Sequence, residues 1–372
     1  SLSKGISTII NIILVSICTY YLTTEEYGIY DLILTSVGLS VPIVSINIQD
    51  SVMLLVLEKY KKNNVLTSAV MTVFVNYIIF IILMLIVIKI KKMSIYYVAF
   101  FVIITALQML YYIFSYFYRA IDKVKDIIIA DTLNILLMFF LSLLLIIKLK
   151  MSLFGLLLAY AIGFTVSIVF LFFKNQTYKN ISLRSFDKKI TLEMCKLSFP
   201  LVFYSLAWGV ISASDKYLLS FFCGLEVVGI YSFSYRIPTI ISLVVLVFTQ
   251  SWSISSIKNF DKSDNDHFIN NIYKIYQLII FILCSVLLII LKPVCSLWFS
   301  PEYFEAWRYM PPLLIALLLN AFIGFFGNIY LAAKKTKILS LITIIGAIFN
   351  AVLNYIFIRQ WSSYGDHCRI KI

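Results

Sequence analysis

The chain has 372 residues, 62% of them hydrophobic and 13% charged, and its mean hydropathy is +0.96. A water-soluble domain is nearer half apolar and a quarter charged, so this composition excludes one and places the chain in a bilayer. The 31 Lys and Arg outnumber the 18 Asp and Glu, for a net charge of +13. They cluster in short loops between apolar runs, a pattern that encodes membrane topology and argues against a nucleic-acid partner.

The apolar runs lie at roughly 5–22, 29–57, 65–88, 94–118, 127–147, 151–173, 197–222, 228–257, 268–291, 310–332 and 338–358. Most are continuous stretches of about twenty residues, as helical spans require, and lack the alternation of barrel strands. The predicted fold class is an all-α polytopic membrane protein of eleven spans. The first run lacks a small-residue cleavage site and is expected to stay as a helix. Spans two and eight are long for a hydrocarbon core of about 30 Å and should tilt, bend or extend past it. Pro42 and Pro238 are the expected bends, since proline removes a backbone bond and clashes one turn back.

With the N-terminus inside, the basic loops Glu58–Asn64, Arg119–Asp126, Lys174–Lys196, Lys258–His267 and Lys334–Lys337 fall in the cytoplasm. Lys89, Lys91 and Lys92 run against this bias and are expected to snorkel to headgroups. The division expected is an N-terminal bundle at 1–173, a cytoplasmic linker at 174–196, a C-terminal bundle at 197–358 and a polar tail at 359–372. The six Cys are scattered singly, and His267 and His367 are the only His, so neither a metal nor a cofactor site is expected. No P-loop and no catalytic constellation is present, which points away from an enzyme.

The halves repeat. Glu25–Tyr30 aligns with Glu226–Tyr231 at a shift of 201 residues, and Gln49 with Gln250 at the same shift. Tyr118–Lys125 aligns with Tyr330–Lys337 at a shift of 212. Six spans separate the copies, so the repeats are parallel, a construction common in transporters. The repeat predicts a twelfth span near 363–385, so the chain is expected to lack its last helix through truncation or a frameshift.

On the residues Tyr21–Tyr30, Leu197–Pro200, Ser214–Tyr217, Gly224–Tyr231 and Trp298–Tyr303, the chain resembles a known family. It is similar to the polysaccharide-type flippases (O-antigen and capsule repeat-unit transporters) of the multidrug/oligosaccharidyl-lipid/polysaccharide exporter superfamily. The resemblance implies two pseudo-symmetric helical bundles around a central cavity that opens alternately to each side. It also implies a multi-pass place in the bacterial cytoplasmic membrane, with membrane lipids around it. The implied cargo is a polyprenyl-diphosphate-linked oligosaccharide, moved from the inner to the outer leaflet; polysaccharide polymerase or assembly proteins are further candidate partners.

Such cargo needs cations for its diphosphate, because a sugar diphosphate loses hydration worth many kcal/mol in hydrocarbon. Lys216 and Arg236 are the candidates for diphosphate contact, with Asp215 beside them. Ionisable residues within a span are functional candidates by default. They lie about ten residues before and eight after the Gly224–Val228 turn, hence at similar depth at about 1.5 Å rise per residue. A structural ion pair between spans seven and eight is the alternative. Gln49, Asp50, Asp131 and Gln250 are candidates for lining the cavity or coupling transport to a cation; a hydrated carboxylate at the end of a helix is the other reading of Asp50. Two rival functions stay open: a same-fold exporter of small amphiphilic compounds, and a membrane glycan polymerase or ligase.

Overall fold

In lipid each backbone N–H and C=O needs a partner within its own segment, so apolar runs of this length fold as helices. The computed structural model describes residues 2–58, 60–91, 94–259, 265–333 and 336–363. Among them there are α-helices and no strand. In chain order they are α1 (Leu2–Cys18), α2 (Thr24–Ser45), α3 (Ile48–Leu57), α4 (Lys62–Lys91), α5 (Ile95–Ala120), α6 (Val124–Leu143) and α7 (Ser152–Phe173). There follow α8 (Lys188–Phe222), α9 (Leu225–Ser234), α10 (Thr239–Asn259), α11 (Asn265–Trp298), α12 (Met310–Ala332) and α13 (Thr336–Ser363). Short 3-10 turns occupy Lys174–Asn180, Leu183–Ser185 and Pro301–Arg308.

Among the described residues, nine helices are long and apolar enough to cross a membrane, or ten if α9 and α10, bent by 47°, form one span. The eleventh expected span is α1, which at 17 residues is at the lower limit of a crossing helix.

Three expectations change. Span two is not one proline-bent helix. Pro42 lies inside α2, and the chain turns instead at Ile46 and Asn47, whose φ of 52° and 51° are left-handed. Asn tolerates that region; a β-branched Ile does so only under strain. Gln49 and Asp50 therefore sit in the first turn of α3, where the helix dipole favours a carboxylate, and not near the end of a long span. The linker is also shorter than expected. Asp187 Oδ1 accepts from the amides of Lys189 (2.8 Å) and Ile190 (3.3 Å), an N-cap that starts α8 at Lys188. The polar tail begins later, because α13 runs to Ser363; residues 364–372 lie outside the described residues.

The chain divides into two compact units, Tyr30–Ala213 and Ser1–Ile29 with Ser214–Ile372. The units differ from the halves of the repeat because the corner before α2 packs with second-half residues. In that unit Thr23 and Glu26 form a capping box: the Glu26 amide donates to Thr23 Oγ1 (3.2 Å) and the Thr23 amide to Glu26 Oε2 (3.1 Å). Tyr303 OH reaches the carbonyls of Leu22 (3.2 Å) and Thr23 (2.8 Å), and Ser234 Oγ donates to Ala306 O (3.0 Å). The rings of Tyr27, Phe233, Phe299 and Tyr303 meet edge to face beneath these bonds. Further along the same unit, Trp252 stacks on Phe325 at 4.6 Å while its Nε1 donates to Phe325 O (3.1 Å).

In the unit Tyr30–Ala213, small side chains join the helices. Ser167 Oγ on α7 donates to Ala130 O on α6 (2.8 Å), and Gly163 leaves room for Asn134, whose side chain a Cβ would strike. Small residues that let helix backbones approach are what helix association in lipid requires.

Candidate functional site

Arg236 sits in the irregular turn between α9 and α10. Its amide still bonds Phe233 O (2.9 Å), but the α-helix resumes only at Thr239, after Pro238. Proline belongs at the start of a helix, where its missing N–H costs nothing. The first-half twin of Pro238 is Val37, and there α2 passes straight through. One proline thus breaks the second copy where the first is continuous, and the break holds an arginine whose twin is Thr35.

The guanidinium is half-buried and oriented: Nε donates to Tyr27 OH at 2.8 Å, and Cζ lies 5.9 Å from the Tyr27 ring centroid. Tyr27 is itself held by the Phe233 and Tyr303 rings. A planar, always-charged fork suits a phosphate better than a mobile ammonium does.

Asp215, on α8, accepts from Tyr231 OH and from the Lys216 amide (2.9 Å). Tyr231 thus bonds Asp215 between spans seven and eight, and Arg236 bonds a first-half tyrosine. Ser214 reaches Asn350 and Asn354 on α13 (3.4 and 3.3 Å), so the Ser214–Lys216 step lies in a polar seam. Lys216 is half-buried beside it.

The candidates of the other unit are placed as follows. Gln49 Nε2 donates to Asn47 Oδ1 (3.0 Å) and its Oε1 accepts from Ser45 Oγ (3.2 Å). Asn47 Nδ2 reaches Leu201 O (2.9 Å) and Ser205 Oγ (2.7 Å) on α8, and Ser51 pairs with Ser198 at 2.5 Å. Gln49 is thus part of a latch across the α2–α3 break. Asp50 is half-buried one residue on. Asp131 accepts from Tyr111 OH, and nearby Gln108 Nε2 donates to Tyr160 OH (2.7 Å) with Phe164 against both tyrosines. The side chain of Gln250 lies outside the described residues.

Sequence reasoning missed the tyrosines. Tyr27, Tyr231 and Tyr111 orient Arg236, Asp215 and Asp131, yet among 25 Tyr composition alone does not pick them out. The usable signal was Tyr231, the twin of Tyr30 in the repeated corner. Among the described residues no group of three or more His, Cys, Asp or Glu is placed to hold a metal.

Residues 1–254 match the family described as polysaccharide biosynthesis protein. No curated protein matches the chain. Among solved structures, an inward-facing multidrug resistance transporter of the MATE family, MOP superfamily, matches with a TM-score of 0.73 and 13% identity over 96% of this chain and 95% of that one. A MOP-superfamily transporter from Pyrococcus furiosus, described as having a binding pocket of reversed polarity, matches with a TM-score of 0.60 and 14% identity over 97% and 93%. An outward-facing MATE transporter gives 0.58 and 15% over 97% and 93%. At these identities the likeness is one of fold.

Proposed function

We propose, from the premise that this chain belongs to the polysaccharide biosynthesis protein family and has the fold of MOP-superfamily transporters, that it flips a polyprenyl-diphosphate-linked oligosaccharide across the cytoplasmic membrane. Transport runs from the inner to the outer leaflet by alternating access, with the N-terminus in the cytoplasm. Arg236 and Lys216 contact the diphosphate, and Asp215 keeps the seam beside Lys216 polar.

The observation that carries this reading is the Arg236 guanidinium, set in a broken span and aimed by Tyr27. Discontinuous spans expose backbone and polar groups at substrate sites in many transporters. A charge kept inside a span is costly, so it needs a use. Asp131, bonded by Tyr111, and Asp50 would couple transport to a cation.

The test is complementation of a strain lacking its own flippase. Wild type restores surface polysaccharide; Arg236→Ala and Lys216→Ala reduce it about tenfold or more at equal protein level, as loss of a charge-assisted contact would. Unchanged polysaccharide in both variants defeats the diphosphate assignment. The multidrug transporters among the structural neighbours favour a second reading, export of small amphiphilic compounds. It predicts drug resistance on expression and no complementation.

A further inference from the structure

The segment from Lys174 to Lys189 runs from the end of α7 into the first turn of α8, and it is held by the ends of three other helices. Tyr118, fully buried near the end of α5, lies 2.6 Å from Lys174 O and 2.8 Å from Thr177 Oγ1. Asn175 Nδ2 donates to Asp126 Oδ2 in the first turn of α6 (2.7 Å). In the second turn of α4, Thr67 Oγ1 donates to Asn180 O (3.1 Å) and accepts from the Ser182 amide (3.2 Å). The neighbouring Ser68 exchanges bonds with Asp187 in the same way (3.4 and 3.2 Å). The segment is therefore a strap fixed across the ends of membrane helices.

What the strap turns outward is of two kinds. Lys174, Lys179, Arg184, Lys188 and Lys189 are all exposed, against a single carboxylate, Asp187, which is used as the cap of α8. Between them Leu183 is 75% exposed, Phe186 47% and Tyr178 40%. Basic side chains interleaved with uncovered apolar ones make an interfacial surface. The apolar groups enter the acyl boundary while the cations stay with phosphates. Alone, either would be ordinary; fixed together across the helix ends, they fit one partner.

We propose that this strap is a docking surface for anionic phospholipid headgroups, those of the cytoplasmic leaflet in the orientation given above. Tyr178, Leu183 and Phe186 are immersed, and Lys179, Arg184 and Lys189 read the surface charge. The complementarity is electrostatic, so it weakens with salt.

Hydrogen exchange by mass spectrometry on the full chain in vesicles tests this. Amides of 178–186 should exchange about fivefold or more slowly in vesicles containing one part in three of phosphatidylglycerol than in pure phosphatidylcholine, and the difference should vanish at high salt. The triple variant K179Q/R184Q/K189Q should lose the difference while α5 to α7 keep their protection, which shows that the fold persists. Equal exchange in both vesicles overturns the proposal, whether fast, as for a solvated loop, or slow, as for a strap covered by protein. Protection by soluble glycerol phosphate equal to that by the lipid also overturns it, because the site would then be a phosphate pocket and not a surface.

Discussion

Gly28 and Gly229, twins in the internal repeat, pack against each other. A Cβ built on Gly28 would lie 3.0 Å from Gly229 N and strike Leu225 O; one built on Gly229 would lie 3.2 Å from Gly28 N and strike Thr24 O. Thr24 and Leu225 are themselves twins at the 201-residue shift, so the contact is reciprocal, as in an isologous interface. The obstructing atoms are backbone and cannot rotate away. Gly28→Ala and Gly229→Ala should each destabilise the protein by about 2–3 kcal/mol, the cost of overpacking a tight contact. The double variant should cost less than the sum, because one separation of α2 from α9 relieves both clashes. Melting in detergent, followed by loss of monodisperse protein, measures all three.

Tyr27→Phe keeps the ring that Phe233 and Tyr303 pack on and removes the hydroxyl that accepts from Arg236 Nε. A hydrogen bond to a charged group contributes about 1.5–3 kcal/mol, and that loss should appear in the melting curve. Transport should fall with it if orientation of the guanidinium matters. Arg236→Lys should also fail to complement, since a point charge does not reproduce a fork. Full activity in both variants would leave the positive charge alone as the requirement.

The Tyr231–Asp215 bond predicts coupling. Tyr231→Phe and Asp215→Asn each disturb the same hydrogen bond, so a double-mutant cycle in thermal stability should return an interaction energy of about 1–2 kcal/mol. Additive losses would mean that the two side chains act separately.

Asn47 combines a left-handed backbone with two bonds to α8. Asn47→Gly removes the bonds and keeps the conformation; Asn47→Ala removes both. The alanine variant should be less stable than the glycine variant by about 1 kcal/mol, the cost of a Cβ in the left-handed region.

Tyr303, in the turn between α11 and α12, is the pH probe. Burial pushes its phenol well above the usual tyrosine range, with Tyr27, Cys18, Glu302 and Glu26 adding to the effect. An unfolded tyrosine ionises near pH ~10, so Tyr303 contributes stability that is complete below that pH and is lost as pH rises toward its folded value. Unfolding free energy should fall with pH above ~10, and Tyr303→Phe should remove one proton, about 1.4 kcal/mol per pH unit, from that slope. Denaturation curves at pH 9 to 11 give the comparison.

Much of the architecture was legible because lipid leaves an apolar run few alternatives. The runs, their helical state and the repeated Glu25–Tyr30 corner could be read directly. The break in span two could not: Ile46 and Asn47 carry no proline, and Pro42, the obvious candidate, is accommodated inside α2. The start of α8 was misplaced for the opposite reason. Asp187 caps a helix through polar residues that resemble a linker.

The corner returns the clearest division. Composition and repetition alone determined a duplicated helical membrane protein with a glycine corner in each half, because hydrophobicity and backbone sterics act on local sequence. Only the tertiary structure decided that Gly28 and Gly229 meet each other, that Arg236 is held by Tyr27 and that Asp215 is held by Tyr231. Those partners lie far apart in the chain or on another helix, and a hydrogen bond is chosen by distance and direction in space, to which the order of residues is blind.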